Sequence, residues 1–349
     1  YDGWWGHETL PKLNYEESVK LENYILRIGK KWVSPPYNVD GWRLDVAADL
    51  GMSKEYNHDF WKRFRMAVKS ANPQAIILAE HYGDPKEWLQ GDEWDTVMNY
   101  DAFMEPLTWF LTGMEKHSDF SRPDLCDNAD YFINSITHHM AAMPTPSLMT
   151  AMNELSNHDH SRFLTRTNHM VGRVDQLGHE AAEIYTNPAI MREAVVMQMT
   201  WVGAPTIYYG DEAGVYGFTD PDNRRTYPWG NEDKEMIAFH KEVIAIHKRY
   251  RAFRTGSLKM LTWEEGILAY ARFNDRRQFV VIVNNRSEAA TVRVPVWPAE
   301  IPMQGFMRRL IYTYDEGYTT EFEEYIIENG EIVLNMGKHS AIILKKREY

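Results

Sequence analysis

A partial (β/α) barrel followed by an antiparallel β-sandwich is the fold class this sequence predicts. Three observations predict it. Over the first 251 residues, short β-like runs alternate with amphipathic helical patterns, the texture of parallel βαβ units. Each of those runs ends in polar, reactive residues, as strands do at the functional face of a barrel. From about Arg254 the pattern changes to closely spaced strands separated by turns, which reads as a small antiparallel sandwich. An open doubly wound sheet is the competing arrangement, but no glycine-rich phosphate loop follows any run. The expected boundary puts the barrel portion in residues 1–251 and the sandwich in 252–349.

The β-like runs cover residues 39–46, 75–80, 94–100, 150–157 and 205–210. They show little clean alternation, as expected of strands covered on both faces. Helical patterns lie between them, at residues 16–31, 58–70, 131–143, 187–202 and 232–250. The second carries Phe60, Trp61, Phe64 and Val68 on one face. The fourth opens on Asn187-Pro188, with proline just inside the helix start. In the last part, residues 268–273, 278–283, 290–294, 331–334 and 338–344 read as strands.

Composition narrows the function. The 349 residues are 44% hydrophobic, enough for about two domains. Aromatics make up 13%, with 12 Trp and 20 Tyr; such rings suit the flat apolar faces of sugars, although a large aromatic core would use them equally. A net charge of −12 argues against a nucleic-acid partner. No apolar run approaches the roughly 20 residues of a membrane helix. Cys126 is the only cysteine, so no intrachain disulfide forms. The chain begins at Tyr1 with nothing resembling a signal peptide. The expectation is a piece of a longer reading frame or a processed product, and a cytoplasmic location is favoured.

Three strand ends carry candidate chemistry. Asp45 follows Arg43 by two residues, so both project from one side of a strand. Arg43 can then hold Asp45 ionised as a nucleophile, or the two can form a structural ion pair. Glu80 ends the next strand beside aromatic residues such as Tyr82 and suits a general acid, a capping role being the alternative. Asn157-His158-Asp159 ends the fourth run and suits hydrogen bonding to sugar hydroxyls. Metal binding by His158, Asp159 and His160 is the rival there, although three residues so close in a strand do not face one ion. Retaining glycosidases need two carboxyls about 5–5.5 Å apart, and adjacent parallel strands about 4.8 Å apart can supply them.

These residues resemble the motifs of the α-amylase superfamily. Residues 41–47 (Gly-Trp-Arg-Leu-Asp-Val-Ala) are similar to its nucleophile motif, 77–80 (Ile-Leu-Ala-Glu) to its acid/base motif, and 156–159 (Ser-Asn-His-Asp) to its third-carboxylate motif, in the family's order. Residues 10–14 (Leu-Pro-Lys-Leu-Asn) and 3–6 (Gly-Trp-Trp-Gly) resemble the neopullulanase, cyclomaltodextrinase and maltogenic amylase group. The resemblance implies a TIM (β/α)8 barrel, of which this chain holds about strands 4–8. It implies retaining hydrolysis of α-1,4- and also α-1,6-glucosidic bonds in maltooligosaccharides, cyclodextrins, pullulan or starch. Asp45 would be nucleophile, Glu80 acid/base and Asp159 the third carboxylate. Arg43, Asn157 and His158 would contact or orient the reacting groups, and Asp220 and Arg224 would bind the non-reducing side. His81 and Tyr82, read as substrate-binding, stand where the family often has Trp or an apolar residue, so the family's leaving-group preference does not carry over to them.

The family's first motif, an Asp and an Asn-His pair, has no counterpart upstream. Five strands cannot close a barrel. The chain is therefore expected to need the remaining N-terminal part of the same enzyme, or a homodimer, for full activity. No cofactor is required and no metal ligand set is assigned; structural calcium, frequent in the family, has its usual ligands partly in the absent region. A transglycosylase or α-glucosidase on the same machinery, and a non-catalytic glucan-binding subunit, are the alternative functions.

Overall fold

The computed structural model describes residues 1–348. Helices and strands follow in the order α1 (Val19–Trp32), β1 (Gly41–Leu44), α2 (Lys54–Ala71), β2 (Ile76–Ala79), β3 (Thr96–Val97), α3 (Glu105–Thr112), α4 (Ala129–Ala141), α5 (Thr145–Thr150) and β4 (Met152–Glu154). Then come α6 (Phe163–Arg166), α7 (Val174–Leu177), α8 (Pro188–Thr200), β5 (Ala204–Thr206), α9 (Lys234–Arg249) and α10 (Arg251–Thr255). The chain ends in β6 (Ser257–Glu264), β7 (Ile267–Phe273), β8 (Gln278–Asn284), β9 (Ala290–Pro295), β10 (Gly305–Tyr314), β11 (Gly317–Thr319), β12 (Glu324–Ile327), β13 (Glu331–Met336) and β14 (Ser340–Lys346). Four of the five expected barrel runs contain a strand and the fifth overlaps one, each strand shorter than the run that announced it. None of the helices among the described residues is long and apolar enough to cross a membrane.

Two compact units emerge, Tyr1–Tyr100 with His138–Met152, and Asp101–Thr137 with Asn153–Tyr349. This division by compactness runs elsewhere than the sequence boundary near residue 252. In the first unit, β1, β2 and β3 form a parallel sheet in that order. Met98 continues it by a parallel bridge to Met152. Helix α2 buries the face read from the sequence, Phe60, Trp61, Phe64 and Val68. Helix α1 packs on α2 through Gly29, its only buried residue. A Cβ at Gly29 would meet the Phe64 ring at 2.6 Å, so glycine there sets how closely the helices approach.

β4, whose Asn153 and Glu154 open the later part of the second unit, pairs with β5. Every residue of α8 from Ala189 to Thr200 is buried, the mark of a helix surrounded by protein. It packs against α9, β10 and β14. The sandwich joins a seven-stranded antiparallel sheet, β11-β10-β14-β8-β7-β6 with β12 on β10, to a two-stranded sheet of β9 and β13. Ala269, Ala271, Val280, Ile282, Ile342 and Leu344 meet Val292, Val294, Ile332 and Leu334 in one core. Residues on the other face of β7 are equally buried: Tyr270 Oη bonds Thr200 Oγ1 at 2.6 Å, and Arg272 Nη1 donates to the Thr200 carbonyl at 2.6 Å. Strands covered on both faces explain the continuous apolar runs of β7, β8 and β14.

Candidate active site

Strand pairing delivers the first two carboxylates together. β1 and β2 run in parallel register from Gly41 opposite Ile76 to Leu44 opposite Ala79. Asp45 and Glu80 are the next residues on each chain, and the Glu80 N–H donates to the Leu44 carbonyl at 2.8 Å. Gly41 permits this approach, since a Cβ there would lie 2.1 Å from the Ile76 carbonyl oxygen.

Arg43 joins the pair. Its Nη1 donates to Asp45 Oδ1, and its Nη2 lies 3.1 Å from Glu80 Oε2. Burial opposes the guanidinium charge, but the hydrogen bond to Asp45 and the charges of Glu80 and Asp45 outweigh it and raise the Arg43 pKa above its ordinary value. The two acids differ in setting: the Asp45 side chain is 77% exposed and that of Glu80 is 10% exposed. Glu80 Oε2 also accepts the Val46 N–H at 2.9 Å. Val46 makes that bond from the left-handed region, with φ 44°, a strained conformation for a β-branched residue.

The turn after Asp45 is fixed from below. Asn57 Nδ2 donates to the carbonyls of Ala47 and Leu50 at 3.0 and 2.8 Å. Trp61 Nε1 donates to Ala47 at 2.8 Å, and Trp88 Nε1 donates to Asn57 Oδ1 at 2.9 Å. Tyr82 is exposed and stacks on buried Tyr100 with ring centroids 4.2 Å apart. His81 lies over Trp88 and Trp94, and its Nε2 is 3.3 Å from the Asp84 carbonyl.

The remaining candidates lie in the second unit. Asn157 was expected to face sugar, but it is buried. Its Nδ2 donates to Glu154 at 2.6 Å, while its Oδ1 accepts the N–H groups of Asp159 and His160, both at 2.9 Å. Asn157 thus shapes the turn that presents His158 and Asp159. Those two side chains stay partly exposed, with His158 Nε2 3.5 Å from Asp159 Oδ2. His160 is fully buried, edge-on to His117 at 4.9 Å. Burial, followed by the Arg166 charge, pushes its pKa well below the usual imidazole value. His160 therefore does not share an exposed face with its neighbours, which corrects the alternative of a three-residue metal site.

The Asp220 loop returns to the same turn. The Asp220 N–H donates to the Asp159 carbonyl at 3.1 Å, and the Thr219 hydroxyl donates to it as well. Arg224 Nε donates to Asp220 Oδ1 at 2.5 Å, and its Nη2 lies 3.7 Å from Asp159 Oδ1. Arg224 thus ties the third carboxylate to Asp220, as Arg43 ties the first two.

Residues 4–324 match the family described as alpha amylase, catalytic domain. The chain belongs to this family. A cyclomaltodextrinase from a Bacillus species is 33% identical over 297 residues, covering 84% of this chain and 47% of that protein. Neopullulanase 2 of Thermoactinomyces vulgaris is 33% identical over 294 residues, covering 82% and 43%. A solved cyclomaltodextrinase matches with a TM-score of 0.79 at 28% identity, over 99% of this chain and 52% of that one. The debranching enzyme of Nostoc punctiforme matches with a TM-score of 0.78 at 27% identity, over 99% and 65%. The fold is that of the α-amylase family, a TIM barrel with a C-terminal antiparallel β-domain. The chain spans less than two thirds of each of these proteins.

Two contributors in each unit went unassigned in the sequence. The Val46 N–H, Tyr100, Thr219 and Asn223 act on residues that were named. Asn223 Nδ2 donates to the Asn157 and His160 carbonyls at 2.9 and 2.8 Å. Tyr100 closes the run at residues 94–100, and Asn223 lies between the two named residues Asp220 and Arg224, which was the available signal. Nothing in the sequence pointed to a backbone donor at Val46.

Proposed function

We propose that the chain carries the catalytic carboxylates of a retaining glycoside hydrolase acting on α-1,4-glucosidic bonds, with α-1,6 bonds as the second linkage. One observation carries the reading: Arg43 binds Asp45 and Glu80 at the ends of two paired strands, one acid exposed and the other buried.

The arrangement supports double displacement. A carboxylate oxygen of Asp45 attacks the anomeric carbon. The bond to the leaving oxygen breaks, and that oxygen takes the proton of Glu80. Glu80 Oε2 accepts the Val46 N–H and lies beside Arg43 Nη2. Esterification removes the negative charge from Asp45, and Arg43 is left with Glu80 as its anionic partner. That favours the Glu80 carboxylate, which accepts a proton from water as the water oxygen attacks the same carbon. The ester bond breaks, and two inversions restore the configuration. By family likeness, Asp159 and His158 hydrogen-bond the distorted sugar, and Asp220 and Arg224 hold its non-reducing side. Tyr82 and His81 are assigned to the leaving-group side. No cofactor enters these steps.

The five short strands are read as the later strands of an eight-stranded barrel. The exposed Arg43 on β1 and Ala204 on β5, and the nearly bare faces of α1, support that reading. The remaining strands would come from further polypeptide. The test is covalent trapping with a 5-fluoro-α-glycosyl fluoride, read by peptide mass spectrometry. Label on Asp45, lost in Asp45→Asn, is the expected result; retained turnover by that variant removes the assignment.

A further inference from the structure

A second feature of the second unit lies at the start of α4 and the end of β6. A cavity of 300 Å³ opens there, lined by Asp124, Asp127, Asn128, Asp130, Trp263 and Glu264 among others. That volume sits at the low end of the range for ligand pockets, about 300–1,000 Å³. Trp263 is 42% exposed, although large aromatic rings are normally buried. Its indole is also held: Nε1 donates to Asp130 Oδ1 at 3.1 Å, and its backbone is paired with Leu268 in the sheet. A ring fixed in this way loses little rotational freedom on meeting a ligand.

The surrounding groups favour a neutral polyhydroxylated ligand. Three of the carboxylates are already engaged. Asp124 takes two bonds from Arg122 at 2.8 and 2.6 Å, Glu264 lies 3.5 Å from Arg286, and Asp127 accepts Asn285 Nδ2 at 2.7 Å. Arginines answer the charges of Asp124 and Glu264, burial raises the Asp127 carboxyl above its ordinary pKa, and oxygen lone pairs remain for hydroxyl donors. Burial pushes the Cys126 thiol at the cavity wall up to about 12, so it offers no thiolate to a metal.

We propose that this cavity is a second carbohydrate site, in which one pyranose of an α-glucan stacks its apolar face on Trp263 while its hydroxyls bond the carboxylate rim. The choice of an α-glucan over another polyol rests on the function proposed above. The site would hold a long chain away from the carboxylates that cleave it.

Titration of the chain with maltoheptaose, followed by the indole N–H resonances, tests this. The Trp263 resonance, assigned by its disappearance in Trp263→Phe, is expected to shift. Trp263→Ala is expected to weaken that binding about tenfold, equivalent to a stacking contact of about 1.4 kcal/mol. Tyr82→Ala is expected to leave it intact. A Trp263 resonance unmoved by maltoheptaose overturns the proposal. If Tyr82→Ala then still weakens binding, the function proposed for the carboxylates survives alone; if maltoheptaose binds nowhere, both fall. A resonance that answers calcium chloride and not maltoheptaose assigns the cavity to a cation and also overturns the proposal.

Discussion

Arg162 offers the sharpest test of how the second unit holds its loops. Its side chain is fully buried, and it donates to the Asn223 carbonyl at 2.9 Å, the Tyr209 carbonyl at 2.6 Å and Asp211 Oδ1 at 3.0 Å. One guanidinium thus ties the segment after β5 to the Asp220 loop. Arg162→Met keeps much of the volume and removes every donor. Breaking a buried ion pair from one side costs about 3–5 kcal/mol, and each carbonyl left without its donor adds about 1 kcal/mol. A loss of about 4 kcal/mol after relaxation corresponds to roughly a 10 °C fall in melting temperature for a unit of this size. The dependence on pH has a defined sign. Burial holds the Asp211 carboxyl above its ordinary pKa, with Arg162 and Ser156 pulling it back. A raised folded-state pKa means that stability falls as pH climbs from the unfolded value, about 3.9, through the folded one. Removing Arg162 raises that folded value further, so the deficit of the variant should be small near pH 4 and larger at pH 7. Adding Asp211→Asn should recover about half of the loss at pH 7. Differential scanning calorimetry at both pH values measures all of this. A fall below about 3 °C, or one indifferent to both pH and Asp211→Asn, refutes the reasoning.

Other outcomes follow from the same geometry. Asn57→Ala removes both side-chain bonds to the turn after Asp45 and should cost about 2–3 kcal/mol with a lower kcat and little change in KM; unchanged kinetics would show that the turn holds itself. Glu193→Gln should stabilise at pH 8 and not at pH 4. Burial keeps the Glu193 pKa well above the usual carboxyl value, and neither oxygen has a hydrogen-bond partner. The gain should exceed about 1 kcal/mol, and thermal melts across that range decide it. Gly41→Ala should disrupt the β1–β2 register, because its Cβ would meet the Ile76 backbone; a folded variant with native amide-exchange protection in β2 would contradict this. Maltotriose hydrolysis by the chain alone should be very weak and should rise when the complementary barrel segment is supplied. Full activity unaided would remove the partial-barrel reading.

The parts of this protein that the sequence announced share a physical property. Their signal is carried by side chains in a regular period or a compact motif. The apolar face of α2, the carboxylates that follow β1 and β2 and the Asn-Pro start of α8 are all of this kind. The parts that stayed hidden break the period. β6 and β10, absent from the expected strands, each contain a register shift, at Met260/Thr262 and at Arg309/Ile311. A bulge moves the alternation to the opposite face part-way along a strand, so neither half is long enough to show. α3 is an eight-residue apolar stretch, too short for a helical period to separate it from a buried strand.

The site divides in the same manner. Asp45, Glu80 and Asp159 could be named as candidates from the sequence because a carboxylate is carried by the residue itself. Asn157 stands in the same motif as Asp159, and nothing in the sequence showed that its carboxamide is directed into the turn. The Val46 N–H was invisible because any residue except proline carries one, and only its strained φ aims it at Glu80. A backbone donor also limits what mutation can report there. Substituting Val46 changes the strain of the turn and the orientation of the N–H together. The contribution of that bond to Glu80 is therefore better read by replacing the residue 46 amide with an ester, which removes the donor and keeps the side chain. If the bond favours the Glu80 carboxylate, the ester should move the alkaline limb of the activity profile, where the Glu80 proton is lost, to higher pH, and an unmoved limb would leave Arg43 as the group that sets it.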